Sequence, residues 1–299
     1  MKAQTNQFIG CDKPYREADT VVFGAPYDST TSFRPGTRFG PAAMRMESFG
    51  IETYSPLQDR DLVDDAKVFD AGDIELPFGA PQPALKMIEK KAARILADGK
   101  RPFLLGGEHL VTLGAFRAVQ KVYPDVVVVH FDAHADLRED YLGNPLSHAC
   151  VLRRCHDLVG DGRIFQFGIR SGTREERQFM RDGHVTTELF SDKTLASVVE
   201  EISHRHSSLN THPSTLLPPP VYLTIDMDVL DPSEFPGTGT QEAGGFRYDQ
   251  LVADMRLICK KLNVVAIDNV ELNPHLDPTG RSTALACKFL REELLAWAR

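Results

Sequence analysis

The sequence predicts an α/β protein built on a mostly parallel β-sheet with helices on both faces. Short apolar runs alternate with longer amphipathic stretches along nearly all of the 299 residues, which is typical of parallel strands joined by helices. Several runs are almost continuous in Val, Ile, Leu and Phe, as strands buried on both faces require. Polar clusters follow these runs, at the positions where such sheets bind ligands.

Each apolar run is assigned to a strand and each amphipathic stretch to a helix. The seven predicted strands span residues 20–24, 67–71, 102–105, 126–131, 163–168, 221–225 and 264–270. The eight predicted helices span residues 41–49, 84–98, 110–122, 149–157, 175–181, 195–204, 248–262 and 281–297. The polar, Pro-rich stretch 207–220 is predicted to be a surface loop, because the alternation resumes after it. We therefore expect a single domain over residues 1–299.

Composition and charge narrow the class of protein. Hydrophobic residues make up 42% and charged residues 25% of the chain, as in ordinary globular proteins. The formal net charge is −8 and no basic run occurs, so neither nucleic acid nor a membrane is an expected partner. No apolar run has the length of a membrane span, and the N-terminus lacks a secretory signal. Five scattered cysteines indicate free thiols in a reducing compartment, so we expect a cytoplasmic protein.

The clearest polar cluster follows the strand predicted at 126–131. It reads Asp132-Ala-His134-Ala-Asp136. Residues two apart in an extended chain point to the same side, so these three side chains project into one space. Ionised carboxylates at the end of a buried strand are costly unless they are paired or bound to a metal. The alternative interpretation is a polar loop held by salt bridges.

Two other predicted strands end in similar groups. Asp226-Met-Asp228 follows the strand at 221–225, and Gly-Gly-Glu-His109 follows the strand at 102–105. The candidate metal ligands are therefore four carboxylates and two imidazoles: His109, Asp132, His134, Asp136, Asp226 and Asp228. An oxygen-rich set without thiolate suits Mn²⁺ and also admits Fe²⁺, Co²⁺ or Zn²⁺. Six side chains exceed the needs of one catalytic ion, so the set predicts two ions that share carboxylates.

Two more residues lie close to these clusters in the sequence. His148 follows in the loop after Asp136, and Glu271 follows the strand predicted at 264–270. Beside a metal site His148 is a candidate for proton transfer, and the alternative is a structural or surface histidine. Glu271 is a candidate to bind a guanidinium through two parallel hydrogen bonds, and the alternative is a capping or salt-bridged carboxylate.

Taken in order, these motifs resemble those of the ureohydrolase superfamily of arginases and agmatinases. The motifs are Gly-Gly-Glu-His109, Asp132-Ala-His134-Ala-Asp136, Ser-His148, Asp226-Met-Asp228-Val-Leu-Asp-Pro, Gly-Thr-Gly-Thr240 and Glu271-Leu-Asn-Pro. The early segments 24–28 and 34–45 resemble bacterial agmatinases in particular. The resemblance runs from about residue 20 to 290. It implies a three-layer arginase/deacetylase-like fold with a central, mostly parallel sheet of about eight strands.

The resemblance also implies two Mn²⁺ per chain and a role for each ligand. Two ligands would bind one ion, two would bind the other, and two would bridge them: His109 with Asp136, His134 with Asp228, and Asp132 with Asp226. A hydroxide bridging the ions would attack the guanidinium carbon of the substrate. A deacetylase-like enzyme with a single zinc ion is disfavoured, because the ligands for a second ion are present.

Three further roles follow from the same resemblance. Glu271 would orient the guanidinium, Thr240 would offer a hydroxyl to the substrate, and His148 would assist proton transfer to the leaving amine. The expected reaction is hydrolysis that releases urea and an amine.

The loop after the first cluster decides the expected substrate. Glu139 and Asp140 would bind the distal ammonium of agmatine and repel a carboxylate, so agmatine, converted to putrescine and urea, is the first expectation. Arg138 leaves a guanidino acid open as the substrate, as in a guanidinobutyrase or guanidinopropionase. Arginase or formimidoylglutamase activity comes next, and a non-catalytic regulatory homologue comes last. Because relatives commonly form trimers or hexamers, we expect a homo-oligomer.

Overall fold

A computed structural model describes residues 7–190, 194–209 and 218–298 of the chain. In chain order the strands are β1 (Thr20–Ala25), β2 (Tyr54–Ser55), β3 (Arg60–Asp61), β4 (Val68–Asp73), β5 (Arg101–Gly106), β6 (Val127–Phe131), β7 (Ile164–Phe167), β8 (Thr186–Thr187), β9 (Pro220–Asp226) and β10 (Asn263–Val270). Strands β2 and β3 form a small antiparallel hairpin. The other eight form one sheet in the order β4-β1-β5-β10-β9-β6-β7-β8, and every neighbouring pair is parallel.

Helices cover both faces of this sheet. They are α1 (Gly40–Glu47), α2 (Leu62–Asp65), α3 (Pro81–Ala97), α4 (Val111–Val122), α5 (Val151–Val159), α6 (Arg174–Arg181), α7 (Leu195–Leu209), α8 (Tyr248–Lys261) and α9 (Arg281–Trp297). On one face α4 packs between α3 and α5, and on the other α1, α9, α8 and α7 pack in that order. The protein therefore has three layers, with a hydrophobic core on each side of the sheet.

Alternation along the strands explains the two cores. In β9 the side chains of Val221, Leu223 and Ile225 join the core beneath α8 and α9. The side chain between the first two, Tyr222, points the other way and packs edge-on against Phe116 of α4. Successive residues of a strand point to opposite faces, so a strand buried on both faces has to be apolar throughout. Each fully buried aliphatic side chain stabilises the fold by roughly 1.5–3 kcal/mol.

The predicted α/β fold with a central parallel sheet of eight strands is confirmed. All seven predicted strands occur within two residues of their predicted bounds. The eighth strand, β8, and the β2–β3 hairpin were not predicted, because two-residue strands carry no periodicity. The prediction of one domain over residues 1–299 stays a prediction.

The Pro-rich stretch 207–220 needs a correction at both ends. Helix α7 continues to Leu209 and β9 begins at Pro220, so these residues belong to regular elements and not to a loop. Residues 210–217 of the predicted loop lie outside the described part of the chain.

The strand order places the predicted site residues beside one another. Strands β5, β10, β9 and β6 are consecutive at the centre of the sheet. In their register Phe131 of β6 pairs with Ile225 of β9, and Asp226 pairs with Val270 of β10. The residues that follow these strands therefore emerge together at one edge, where parallel sheets bind ligands. Within the described ranges, no helix combines the length and the apolar character needed to cross a membrane.

Candidate functional site

The six predicted metal ligands lie together at the C-terminal ends of β5, β6 and β9. His109 Nδ1 lies 3.0 Å from Asp132 Oδ2, 3.2 Å from Asp136 Oδ2 and 3.4 Å from Asp226 Oδ2. All four side chains are almost fully buried. One imidazole nitrogen and three carboxylate oxygens thus surround a common point.

A second group adjoins the first and shares one carboxylate with it. His134 Nδ1 lies 2.9 Å from Asp228 Oδ2 and 3.4 Å from Asp132 Oδ1. Asp132 therefore turns one oxygen towards each histidine. This arrangement supports Asp132 as a bridging ligand. The other predicted bridging ligand, Asp226, faces His109 through Oδ2. Its Oδ1 accepts the backbone N–H of Asp228 at 2.8 Å.

The hydrogen bonds around His109 fit a metal ligand. Thr224 Oγ1 donates to Asp268 Oδ1 at 2.6 Å, so it accepts from His109 Nε2, 3.0 Å away. One ring proton is then on Nε2, and Nδ1 faces the carboxylates. Burial by itself lowers the pKa of His109. The carboxylates of Asp132, Asp136 and Asp226 outweigh burial and raise the pKa well above its usual range, so a cation would have to replace the proton on Nδ1. No described residue forms a well-aligned hydrogen bond with this buried nitrogen. Support of a ligating histidine through its other nitrogen is typical of metal sites.

The charges of the cluster fit a metal as well. Burial and the neighbouring Asp132 carboxylate raise the pKa of Asp136 to about 7. Burial raises the pKa of Asp226 well above its usual range, and the carboxylates of Asp228 and Asp132 add to that effect. Carboxylates so crowded are ionised together only when cations compensate them. The donor set of oxygen and imidazole nitrogen, without thiolate, could therefore hold divalent cations.

Two of the predicted site residues have strained backbones. Asp136 has φ of 54° and Glu271 has φ of 66°, in the left-handed region that non-glycine residues seldom adopt. The strain persists because hydrogen bonds hold the backbone: the N–H of Glu271 donates to Gly107 O at 2.9 Å. Strained residues cluster at functional sites, and both of these are candidate ligands or substrate contacts.

Gly107 is required by the close approach of the chain to the loop after β1. A Cβ at this position would lie 2.0 Å from the carbonyl oxygen of Tyr27, so no other residue fits without moving that loop. The next residue, Glu108, is fully buried and accepts hydrogen bonds from Thr30 and Thr31. Burial raises the pKa of Glu108 to about 7. Sequence reasoning missed Glu108, although its place beside His109 in Gly-Gly-Glu-His was a usable signal.

His148 lies at the edge of the same site. Its Nε2 lies 3.2 Å from the Ser32 backbone N–H and 3.0 Å from Ser32 Oγ. Burial, together with the neighbouring imidazoles of His134 and His109, lowers the pKa of His148 to about 4. A neutral imidazole is therefore available beside the cluster.

A cavity of about 220 Å³ opens onto the cluster. Six of the predicted residues line it: His134, Asp136, His148, Asp226, Thr240 and Glu271. The Thr240 hydroxyl donates to Asp228 Oδ2 at 3.3 Å, which leaves its lone pairs for a donor in the cavity.

The structure does not bring Glu139 and Asp140 into this cavity. Glu139 is exposed and pairs with Arg153 at 2.8 Å and Arg154 at 3.3 Å. Asp140 accepts the backbone N–H of Gly143 at 2.7 Å within a turn. Glu139 therefore faces the arginines of α5, and Asp140 belongs to the turn. Their predicted contact with the substrate's ammonium stays a prediction.

Another carboxylate, which sequence reasoning missed, does line the cavity. Glu176 of α6 is 3% exposed and accepts the backbone N–H groups of Leu137 at 2.9 Å and Thr173 at 2.7 Å. No lysine, arginine or histidine within the described part of the chain forms an ion pair with it. The sequence signal was a Thr-x-x-Glu capping box, which predicts a helix start and not a substrate contact.

His130 is a buried histidine beside the cluster. His130 Nε2 lies 2.9 Å from Asp132 Oδ2, and its Nδ1 lies 3.0 Å from Gln166 Nε2. This buried histidine therefore supports the carboxylate that lies between the two groups.

All five cysteines are free, as predicted from their number and spacing.

Comparison with known proteins agrees with this geometry. The sequence pattern of the arginase family matches residues 18–296. The chain is 44% identical to an agmatinase of Halalkalibacterium halodurans over 291 residues, 97% of this chain and 96% of that protein. It is 43% identical to an agmatinase of Bacillus subtilis over 294 residues, 98% and 96% of the two chains. The crystal structure of the agmatine ureohydrolase of Thermoplasma volcanium matches with a TM-score of 0.84 at 33% identity, covering 98% of this chain and 94% of that one. The chain therefore belongs to the arginase family.

Proposed function

We propose that this protein is an agmatinase, which hydrolyses agmatine to putrescine and urea. The observation that carries the proposal is a cavity lined both by part of the carboxylate–imidazole cluster (His134, Asp136 and Asp226) and by a buried carboxylate without a cationic partner, Glu176. A substrate with a guanidinium at one end and an ammonium at the other complements this arrangement. The two relatives called agmatinases, at 43–44% identity over nearly the whole chain, support the same conclusion.

The guanidinium end of the substrate would be held by Glu271 and Thr240. One oxygen of Glu271 accepts the backbone N–H of His109 at 2.7 Å, which fixes the orientation of the carboxylate. The other oxygen remains to accept a guanidinium N–H, and the Thr240 hydroxyl can accept another. Charge-assisted hydrogen bonds of this kind are stronger than neutral ones and orient the planar group.

The six clustered side chains would hold two divalent cations, and we infer Mn²⁺ from the oxygen-rich donor set. When bound, such cations supply a water-derived nucleophile near neutral pH. Hydrolysis would join an oxygen from water to the guanidinium carbon and break the bond from this carbon to the alkyl nitrogen. The leaving nitrogen needs a proton. His148, a neutral imidazole beside the cavity, would accept the proton that the attacking water releases and pass it to this nitrogen.

The ammonium end would bind Glu176. Its carboxylate is held by two backbone N–H groups and is not neutralised by an ion pair, so a substrate ammonium can compensate its charge.

A second candidate function rests on Arg138, which also lines the cavity. Its Cζ lies 5.2 Å from the centre of the Tyr141 ring. Arg138 favours a guanidino acid such as 4-guanidinobutyrate. Agmatine ranks first because Glu176 is the more buried of the two groups.

A cytoplasmic location and assembly into trimers or hexamers belong to the proposal as expectations from the sequence.

The experiment that tests the function is urea release by the purified, Mn²⁺-loaded protein. Agmatine, arginine, 4-guanidinobutyrate and 3-guanidinopropionate are assayed in parallel. Preference for agmatine supports the proposal. Preference for a guanidino acid would instead support the second candidate function, in which Arg138 binds the carboxylate of the substrate. No urea from any substrate, with metal bound, contradicts the proposed reaction.

A further inference from the structure

The segment 28–36, between β1 and α1, is fixed at both ends and reaches His148. Asp28 accepts the backbone N–H of Gly36 at 2.8 Å, which closes the segment on itself. Asn273 Nδ2 donates to the carbonyl oxygens of Arg34 and Pro35 at 3.1 Å each, which fixes the segment to the chain after β10. The part between these anchors has a definite position relative to the site.

Thr30 in this segment joins two residues that are distant in sequence. Its hydroxyl donates to Glu108 Oε1 at 2.6 Å and accepts the backbone N–H of His148 at 3.1 Å. Its own backbone N–H donates to Glu108 Oε2 at 2.8 Å. Glu108 is fully buried beside His109, so it provides a rigid base for the segment. A hydroxyl is needed here, because one group has to donate to Glu108 and accept from His148 at the same time.

Ser32, two residues later, contacts the ring of the same histidine. Its backbone N–H donates to His148 Nε2 at 3.2 Å. A nitrogen that accepts a hydrogen bond cannot carry the ring proton, so the proton of the neutral imidazole is on Nδ1. The 28–36 segment therefore holds His148 twice, by its backbone through Thr30 and by its ring through Ser32.

We propose that Thr30 is a positioning residue for His148. It attaches the 28–36 segment to Glu108 and to the backbone of His148, and the segment then fixes the ring and its tautomer through Ser32. The inference rests on the proposed function, in which His148 transfers a proton. Displacement of such a group by about 1 Å can cost roughly a hundredfold in rate.

The test compares three substitutions in the Mn²⁺-loaded protein. Thr30→Val keeps the shape of the side chain and removes both hydroxyl contacts, and we expect kcat for the best guanidino substrate to fall about tenfold or more while KM changes less than about twofold. Thr30→Ser restores the hydroxyl and should return kcat to within about threefold of the original. Thr31→Val is the matched control: Thr31 Oγ1 donates to Glu108 at 3.1 Å but does not contact His148, so its kcat should change less than about twofold. Metal content and Tm are measured for each variant.

A double-substitution cycle separates action through His148 from a general structural role. In a His148→Asn background, adding Thr30→Val should change the residual kcat by less than about twofold, because the positioned group is already absent. Equal losses in Thr31→Val and Thr30→Val, or a further tenfold loss in the double variant, would overturn the inference. If Thr30→Val does not fold, Thr30→Ala is compared with Thr30→Ser by the same criteria. Failure of the original protein to release urea would count against the proposed function, not against the role of Thr30.

Discussion

The backbone N–H of His109 donates to Glu271 Oε1 across 2.7 Å, which attaches a predicted metal ligand directly to the predicted guanidinium-binding carboxylate. The contact exists because β5 and β10 are neighbours in the sheet, so the residues that follow them emerge side by side. A metal ligand and a substrate contact are thereby held at a fixed separation, and such preorganisation favours catalysis.

Replacing Glu271 with Gln tests this relationship. Gln retains an oxygen for the His109 N–H and loses the negative charge that would bind the guanidinium. We expect kcat/KM for agmatine to fall at least about a hundredfold, with metal content and Tm unchanged. Urea release and metal analysis of the same samples provide the measurement. Loss of metal together with activity would instead make Glu271 a support for His109.

Replacing Asp132 with Asn should disrupt both metal positions. Its two oxygens face His109 and His134 separately, so one substitution affects both groups. We expect metal per chain to fall well below the original content and kcat to fall at least about a thousandfold. The control is Asp157→Asn, which removes a surface carboxylate 3.0 Å from Arg154 and should leave both quantities unchanged. Normal metal content and turnover in Asp132→Asn would refute the bridging role.

Glu176→Gln should weaken the enzyme only for substrates with an ammonium. Loss of a charge-assisted hydrogen bond should lower kcat/KM for agmatine about ten- to a hundredfold. Turnover of 1-guanidinobutane, which has no ammonium, should change less than about twofold and so controls for damage to the α6 cap. Equal losses with both compounds would point to a structural role. If Glu139→Gln lowered kcat/KM for agmatine more than Glu176→Gln does, with turnover of 1-guanidinobutane unchanged, the result would favour Glu139 as the residue that binds the ammonium.

Spacing along the chain was enough to predict the carboxylate–imidazole cluster, because two short runs, 132–136 and 226–228, supply five of its six side chains. Asp132, His134 and Asp136 follow one strand at intervals of two, and the rules of parallel sheets bring the ends of the other strands to the same edge. Contacts between distant segments gave no such signal. Thr30 reaches His148 only because the loop after β1 folds against Glu108, and no local periodicity records that.

The positions of Glu139 and Asp140 outside the cavity have a related cause. Their charge and their position after Asp136 suited an ammonium. The sequence alone, however, does not show which group in the folded protein pairs with a carboxylate. The arginines of α5 compensate Glu139, and a turn uses Asp140. The carboxylate that does line the cavity, Glu176, lies 40 residues after Asp136, in a Thr-x-x-Glu pattern that is typical of a helix start and indicates no substrate contact.

Arg45 is expected to be far more important for stability than a surface arginine. It is 4% exposed and binds both oxygens of the buried Asp70, with Nε–Oδ2 and NH2–Oδ1 distances of 2.7 and 3.0 Å. Arg45→Met would leave Asp70 buried without its cation, at a cost of about 3–5 kcal/mol in the free energy of unfolding. The control Arg94→Met removes an exposed pair with Asp98 and should cost less than about 0.5 kcal/mol. Similar losses in the two variants, measured by denaturant unfolding, would contradict this prediction.

Asp254 of α8 should make the protein less stable as the pH rises. Burial, with a contribution from the charge of Glu188, raises the pKa of Asp254 to about 6, whereas an unfolded aspartate titrates near pH 3.9. Between these values the folded state binds more protons than the unfolded state, so the free energy of unfolding falls from about pH 4 to 6. Asp254→Asn removes this penalty. At pH 8 it should be more stable than the original by about 1 kcal/mol, after allowance for partial exposure of the carboxyl, and the two proteins should be equal near pH 4. Denaturant unfolding of both proteins at both pH values checks this. A difference that does not change with pH would assign the effect to packing of the amide and not to ionisation.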